Sequence, residues 1–80
     1  MTNAETAVQT IIDNGLTPCF EIDGEAVYYI EARDNKLVAG TACNVGLLQC
    51  CSIDYDNDFS IDENLQEMIE TAQEWHFDNA

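Results

Sequence analysis

Residues 61–76 separate their apolar and acidic side chains onto two opposite sides of a helix. At about 100° per residue the apolar side chains form a narrow stripe, and four glutamates lie almost diametrically opposite. Such a helix is stable only where another layer of structure covers the stripe. Ser60 and Glu63 form a capping box that predicts where the helix begins. The stripe consists of Ile61, Leu65, Met68, Ala72 and Trp75, and the glutamates, here called the Glu ridge, are Glu63, Glu67, Glu70 and Glu74.

Residues 4–14 form a second, shorter amphipathic segment near the N-terminus. Thr2 and Glu5 match a capping box at its start, and Gly15 suits the position just after a helix ends. The sequence therefore predicts a short helix in this region. Its apolar side chains at helical spacing are Ala4, Ala7, Val8, Ile11 and Ile12.

Four β-rich segments separate the two predicted helices. CFEI and AVYYIEA flank the turn DGE, where Gly24 can adopt the positive φ that a hairpin requires. After the polar turn RDNK, the segments LVAGTAC and LLQCCSI follow, with a turn at residues 44–46 between them. The order α-β-β-β-β-α predicts one α+β domain over residues 1–80. Its four-stranded antiparallel sheet is expected to carry the N-terminal and C-terminal helices on one face.

No residue pattern in the chain indicates catalysis, a metal centre or a cofactor. The four cysteines include no C-x-x-C pair and no Cys/His zinc spacing, so we interpret them as free thiols. Cys50 and Cys51 should point to opposite faces of a strand, as should Tyr28 and Tyr29, of which one is expected to be exposed. His76 stands alone near a helix end. We therefore predict a protein that is not an enzyme.

Charge limits the classes of partner. Sixteen Asp and Glu against only Arg33 and Lys36 give a net charge of -14. Such a field repels nucleic acid and anionic membranes and attracts basic surfaces, so direct nucleic-acid or membrane binding is not expected. The chain has no apolar run long enough to span a bilayer, and MTNAETAVQT lacks the features of a signal peptide. A cytoplasmic location is therefore predicted.

Residues 54–63, DYDNDFSIDE, have the acid density of a calcium loop. An EF-hand loop needs a glycine at position 6 and a bidentate glutamate at position 12. Counting from Asp54 puts Phe59 and Leu65 at these positions, and counting from Asp56 puts Ile61 at the glycine position. Weak calcium binding is therefore a minor alternative, and no metal site is predicted.

Negative charge continues from this loop along the whole C-terminal helix. The Glu ridge spans roughly 16 Å at about 1.5 Å per residue, and no lysine lies four residues away to offset it. Fixed carboxylates at this spacing, supplemented by the loop acids, suit a groove of Lys and Arg that normally holds nucleic acid. The predicted partner-binding residues are Asp54, Asp56, Asp58, Asp62, Glu63, Glu67, Glu70 and Glu74.

The chain resembles a class of inhibitors. The resemblance lies in its single short domain, its charge of -14, its α/β order and its Glu ridge opposite the apolar stripe. These inhibitors are the small acidic anti-defence proteins of phages and mobile elements, of the anti-CRISPR or anti-restriction DNA-mimic type. The resemblance implies a non-enzymatic inhibitor in the cytoplasm of a bacterial host. Its partner would be the basic nucleic-acid-binding site of a Cas effector or nuclease.

Two other interpretations fit the same composition. In a small regulatory interaction domain, the acidic face would only be exposed to solvent and would bind no partner. A salt-adapted protein would also contain many acids and few lysines, but its carboxylates should be scattered over the whole surface. Here nine of the sixteen acids follow Ile53, in a part of the chain that has no Lys or Arg.

Overall fold

The computed structural model describes residues 1–79 and confirms the predicted α+β fold and the order of its elements. The four strands form one antiparallel sheet in the order β1-β2-β3-β4. The C-terminal helix continues three residues beyond the predicted end, because Phe77, Asp78 and Asn79 include no glycine or proline to stop it. The elements are α1 (Asn3–Asp13), β1 (Cys19–Ile22), β2 (Ala26–Arg33), β3 (Lys36–Cys43), β4 (Gly46–Asp54) and α2 (Ile61–Asn79).

The predicted capping box holds the start of α1. The Thr2 hydroxyl accepts a hydrogen bond from the Glu5 amide at 3.2 Å, and the Thr2 amide donates to the Glu5 carboxylate at 3.0 Å. The hydrogen bond from the Thr2 amide lowers the pKa of the Glu5 carboxyl, and the Thr2 hydroxyl lowers it to a smaller extent. The Ala4 amide donates to the Asn35 side chain in the β2–β3 turn at 3.2 Å. The bond to Asn35 ties the start of α1 to the β2–β3 turn.

One face of the sheet forms the core with both helices. Its residues alternate along the strands, since Phe20 lies opposite Tyr28 and Ile30 lies opposite Ala39. Side chains from α1 and α2 enter the same cluster, as expected for two helices on one face. The buried members are Ala4, Ile22, Tyr28, Ile30, Leu37, Ala39, Met68 and Ala72, with Leu65 and Trp75 partly buried against them.

A β-bulge interrupts the pairing of β3 with β4. Ala39 lies opposite Cys51 and Gly40 lies opposite Gln49, so Cys50 has no cross-strand partner. The expectation that Cys50 and Cys51 alternate regularly between faces assumed an uninterrupted strand, and the bulge removes that basis. No disulfide joins the four cysteines. The bulge brings the two strands unusually close at Gly40.

Tyr28 joins β2 to the C-terminal end of α2. Its hydroxyl is hydrogen-bonded to His76 Nδ1 at 2.9 Å, and its ring lies edge-on to those of Phe20 and Trp75, with centroids 5.8 and 6.3 Å away. Burial, and to a smaller extent the nearby Cys50 and Cys51, raises the pKa of Tyr28. The sequence alone gave no partner for His76, and the structure shows that Tyr28 is its hydrogen-bond partner. Tyr29 is exposed, as predicted for one of the two tyrosines.

The Tyr28→Phe variant is expected to lose about 1 kcal/mol of unfolding free energy, because it removes the hydroxyl bond to His76 but keeps the ring. Urea unfolding measures this difference. Tyr29→Phe is the matched control, since it deletes the same atom from an exposed neighbour and should change stability by less than about 0.5 kcal/mol. Equal losses in the two variants would contradict a specific role for the Tyr28–His76 bond.

Candidate partner-binding site

The Glu ridge lies on the exposed side of α2, where the helical period places all four glutamates together. They line one shallow surface depression of about 540 Å³. Gln66 and Thr71 lie between them, and Gln66 Nε2 donates to Glu70 Oε1 at 3.3 Å. The structure therefore brings Glu63, Glu67, Glu70 and Glu74 onto one continuous surface, as the sequence predicts.

The four predicted aspartates are exposed but do not line this depression. Asp54 forms an ion pair with Lys36 at 2.8 Å, and their hydrogen bond raises the pKa of the lysine. The Asp56 carboxylate accepts from the Asp58 amide at 2.9 Å and so closes a turn. Asp62 borders a different groove, between α1 and α2. None of the four aspartates therefore extends the depression that the Glu ridge lines.

Asn64 organises the acidic loop, and sequence reasoning did not single it out. Its side chain is only 2% exposed. Its Oδ1 accepts from the Asp56 amide at 2.8 Å, while its Nδ2 donates to the carbonyl oxygens of Asp56 and Ser60, both at 2.9 Å. The signal was a polar residue one turn before Met68, beside the apolar stripe. The helical period places this residue on the same buried face as Met68 and Ala72, where a polar side chain needs hydrogen-bond partners.

The predicted capping box holds the first turn of α2. The Ser60 hydroxyl accepts from the Glu63 amide, and the Ser60 amide donates to Glu63 Oε1, both at 3.1 Å. The first carboxylate of the Glu ridge is therefore held at the positive end of the helix dipole.

Phe59 is a second residue that sequence reasoning missed as part of the site. It lines the same depression as the Glu ridge and is 49% exposed. Its amide donates to the Asp56 carbonyl at 3.2 Å, within the loop that Asn64 holds. The available signal was an aromatic residue where a calcium loop would have glycine. The fixed turn presents this ring at the head of the ridge.

Neither basic side chain compensates the Glu ridge. Arg33 pairs with Glu31 at 3.4 Å on β2, and Lys36 pairs with Asp54. Neither helix contains Lys or Arg. Within residues 1–79, the ridge therefore presents its carboxylates to solvent with neither Lys nor Arg paired to them.

Two carboxylates of the acidic loop are engaged in contacts within the protein. Within residues 1–79, no group of three or more His, Cys, Asp or Glu side chains is arranged to hold a metal ion. The carboxylates of Asp54 and Asp56 instead serve an ion pair and a turn.

Comparisons with protein-family models, curated proteins and solved structures found no match to this chain. In the part of the chain that the structure describes, no helix is long and apolar enough to cross a membrane.

Proposed function

We propose that this protein is a non-enzymatic inhibitor that occupies a basic nucleic-acid-binding site on a host defence protein. The target class is a CRISPR-Cas effector or a restriction nuclease, and the mode is mimicry of nucleic-acid charge. One observation carries the proposal: the Glu ridge places four exposed carboxylates on one rigid helix face that has no basic neighbour. Such a surface complements a groove lined by Lys and Arg.

The Glu ridge is unfavourable in the free protein. The pairs Glu63/Glu67 and Glu70/Glu74 have i,i+4 spacing, at which like charges destabilise a helix by about 0.2–0.5 kcal/mol each. Glu74 also lies toward the negative end of the helix dipole. A cationic groove would relieve this repulsion on binding. The helix already fixes the backbone of these residues, so only their side chains are ordered on association.

Phe59 adds an apolar contact next to the charges. Aromatic side chains are frequent anchors at protein interfaces, above all where the backbone around them is fixed. Sites for single-stranded nucleic acid combine basic residues with aromatic platforms on which bases stack. A half-exposed phenyl ring at the head of the Glu ridge suits a site of that composition.

Changing all four glutamates of the Glu ridge to glutamine should weaken binding roughly ten- to a hundredfold. Exposed ion pairs contribute about 0.2–1 kcal/mol each, and about 1.4 kcal/mol corresponds to a factor of ten. The fold should persist, because glutamine also serves in a capping box at position 63. The measurement is an affinity pull-down from bacterial lysate at low and high salt, followed by titration of the captured protein. An oligonucleotide should compete with the inhibitor for that protein.

A charge-matched variant separates the Glu ridge from net charge. Glu21→Gln, Asp23→Asn, Glu25→Gln and Asp34→Asn remove the same four charges from exposed positions elsewhere. Asparagine suits positions 23 and 34, where φ is +55°. This variant should bind nearly as well as the natural protein. Equal weakening by both variants would favour the salt-adapted or merely solvated interpretation, and undiminished binding by the glutamine variant would refute the proposal.

A further inference from the structure

An apolar groove of about 430 Å³ lies between α1 and α2. Its apolar lining includes Ile11 of α1, Phe20 of β1, and Ile61, Leu65 and Ile69 of α2. No glutamate of the Glu ridge lines it. The groove is therefore a separate surface on another side of α2.

Leu16 stands at this groove with 65% of its surface exposed. Its amide donates to the Ile11 carbonyl at 3.1 Å, so its backbone is tied to the end of α1. Covering an exposed leucine side chain with apolar atoms favours association. An exposed leucine in a fixed position beside half-buried isoleucines is suited to receive an apolar side chain from a partner.

The charges around the groove select the kind of occupant. Asn14, the C-cap of α1, lines it, so the negative end of the α1 dipole lies at the groove. The last turn of α1 carries Asp13 and no basic residue. Asp62 is the charged side chain in the lining. Cations in the occupant would complement all three features.

We infer that this groove binds a cationic amphipathic segment of a partner protein. Apolar side chains of the segment enter beside Leu16 and Ile69, while Lys or Arg contacts Asp62 and the C-terminal end of α1. A second copy of the chain would bring a charge of -14, and an anionic lipid would also bring negative charge, so both are disfavoured. The inference goes beyond the proposed inhibition and does not depend on the Glu ridge.

The test uses a fluorescein-labelled Leu/Lys peptide of about 15 residues, long enough to form an amphipathic helix. A scrambled peptide of identical composition is the second probe, and fluorescence anisotropy measures both. The amphipathic peptide should bind about tenfold more tightly than the scrambled one. Leu16→Gln should lower the affinity for the amphipathic peptide about five- to tenfold and leave the affinity for the scrambled peptide unchanged. Leu48→Gln, at an equally exposed leucine on β4 (61%), should change neither affinity.

Several results would overturn the inference: equal affinity for the two peptides, no effect of Leu16→Gln, or equally tight binding of a Leu/Glu peptide. Preferential binding to phosphatidylglycerol vesicles would overturn it as well. In the Glu ridge glutamine variant, the affinities of the amphipathic and the scrambled Leu/Lys peptide should fall by the same factor. The preference for the amphipathic peptide should therefore persist. Loss of that preference would show that the groove is not a separate site. Failure here is thereby distinguished from failure of the proposed function.

Discussion

Replacing Asn64 with aspartate is expected to lower the free energy of unfolding by about 3–5 kcal/mol. The amide Nδ2 donates to the Asp56 and Ser60 carbonyls at 2.9 Å, and a carboxylate at that position would repel both. The site is only 2% exposed, so the new charge would also lose its hydration. In a domain of 80 residues, with a total stability of about 4–12 kcal/mol, this is a large fraction.

Urea unfolding followed by the fluorescence of Trp75, which packs against the core, measures the loss. Asn57→Asp is the matched control, because it makes the same charge change at an exposed position of the same loop. Asn57 Oδ1 accepts from Asn3 Nδ2 at 2.6 Å, and a carboxylate can still accept that bond. The control should change stability by less than about 0.5 kcal/mol. A comparable loss in both variants would attribute the effect to loop charge rather than to burial.

The Asn64→Asp destabilisation should depend on pH. Burial raises the folded-state pKa of the introduced carboxyl above its unfolded value of about 3.9. The penalty is therefore full above the folded pKa, shrinks as the pH falls below it, and ends below about 3.9. In the protonated form the carboxyl can again donate one hydrogen bond to a loop carbonyl. The difference from the natural protein should accordingly narrow in acid, and a constant difference would contradict burial of the charge.

The elements of the fold were predictable because their signals are local. The capping boxes at Thr2 and Ser60 and the turn at Gly24 each depend on a few neighbouring residues. The helical period also placed the Glu ridge correctly, since four residues on one helix share a face whatever packs behind them.

Features that depend on distant parts of the chain were not predictable in the same way. The Asn64 side chain bonds to the loop eight residues before it, and Phe59 joins the site through that loop. Asp54 is drawn to Lys36, on the neighbouring strand. Asp62 faces the α1–α2 groove, an arrangement that needs both helices in place. The spacing of these residues in the sequence does not indicate such contacts.

The close approach of β4 to Gly40 at the bulge also depends on residues distant in the chain. Gly40→Ala is expected to destabilise the protein by about 3 kcal/mol. The added Cβ would lie 2.0 Å from the Leu48 carbonyl oxygen and 2.8 Å from both the Leu48 carbonyl carbon and Leu47 Cδ2. Because the Leu48 atoms belong to the backbone, no side-chain rotation relieves the contact. The strands β3 and β4 would have to separate, and thermal and urea unfolding report the loss.

Gly24→Ala provides the contrast that isolates this contact. Gly24 has a φ of +67° and no atom within 4 Å of an added Cβ, so alanine there meets only conformational strain, about 1–2 kcal/mol. Gly40 lies in a strand without a positive φ, and its backbone therefore suits alanine. A glycine inside a strand is a known sign of a bulge or of close backbone approach. If Gly40→Ala were no less stable than Gly24→Ala, the Leu48 carbonyl would not lie over Gly40, and β4 would pair without the bulge at Cys50.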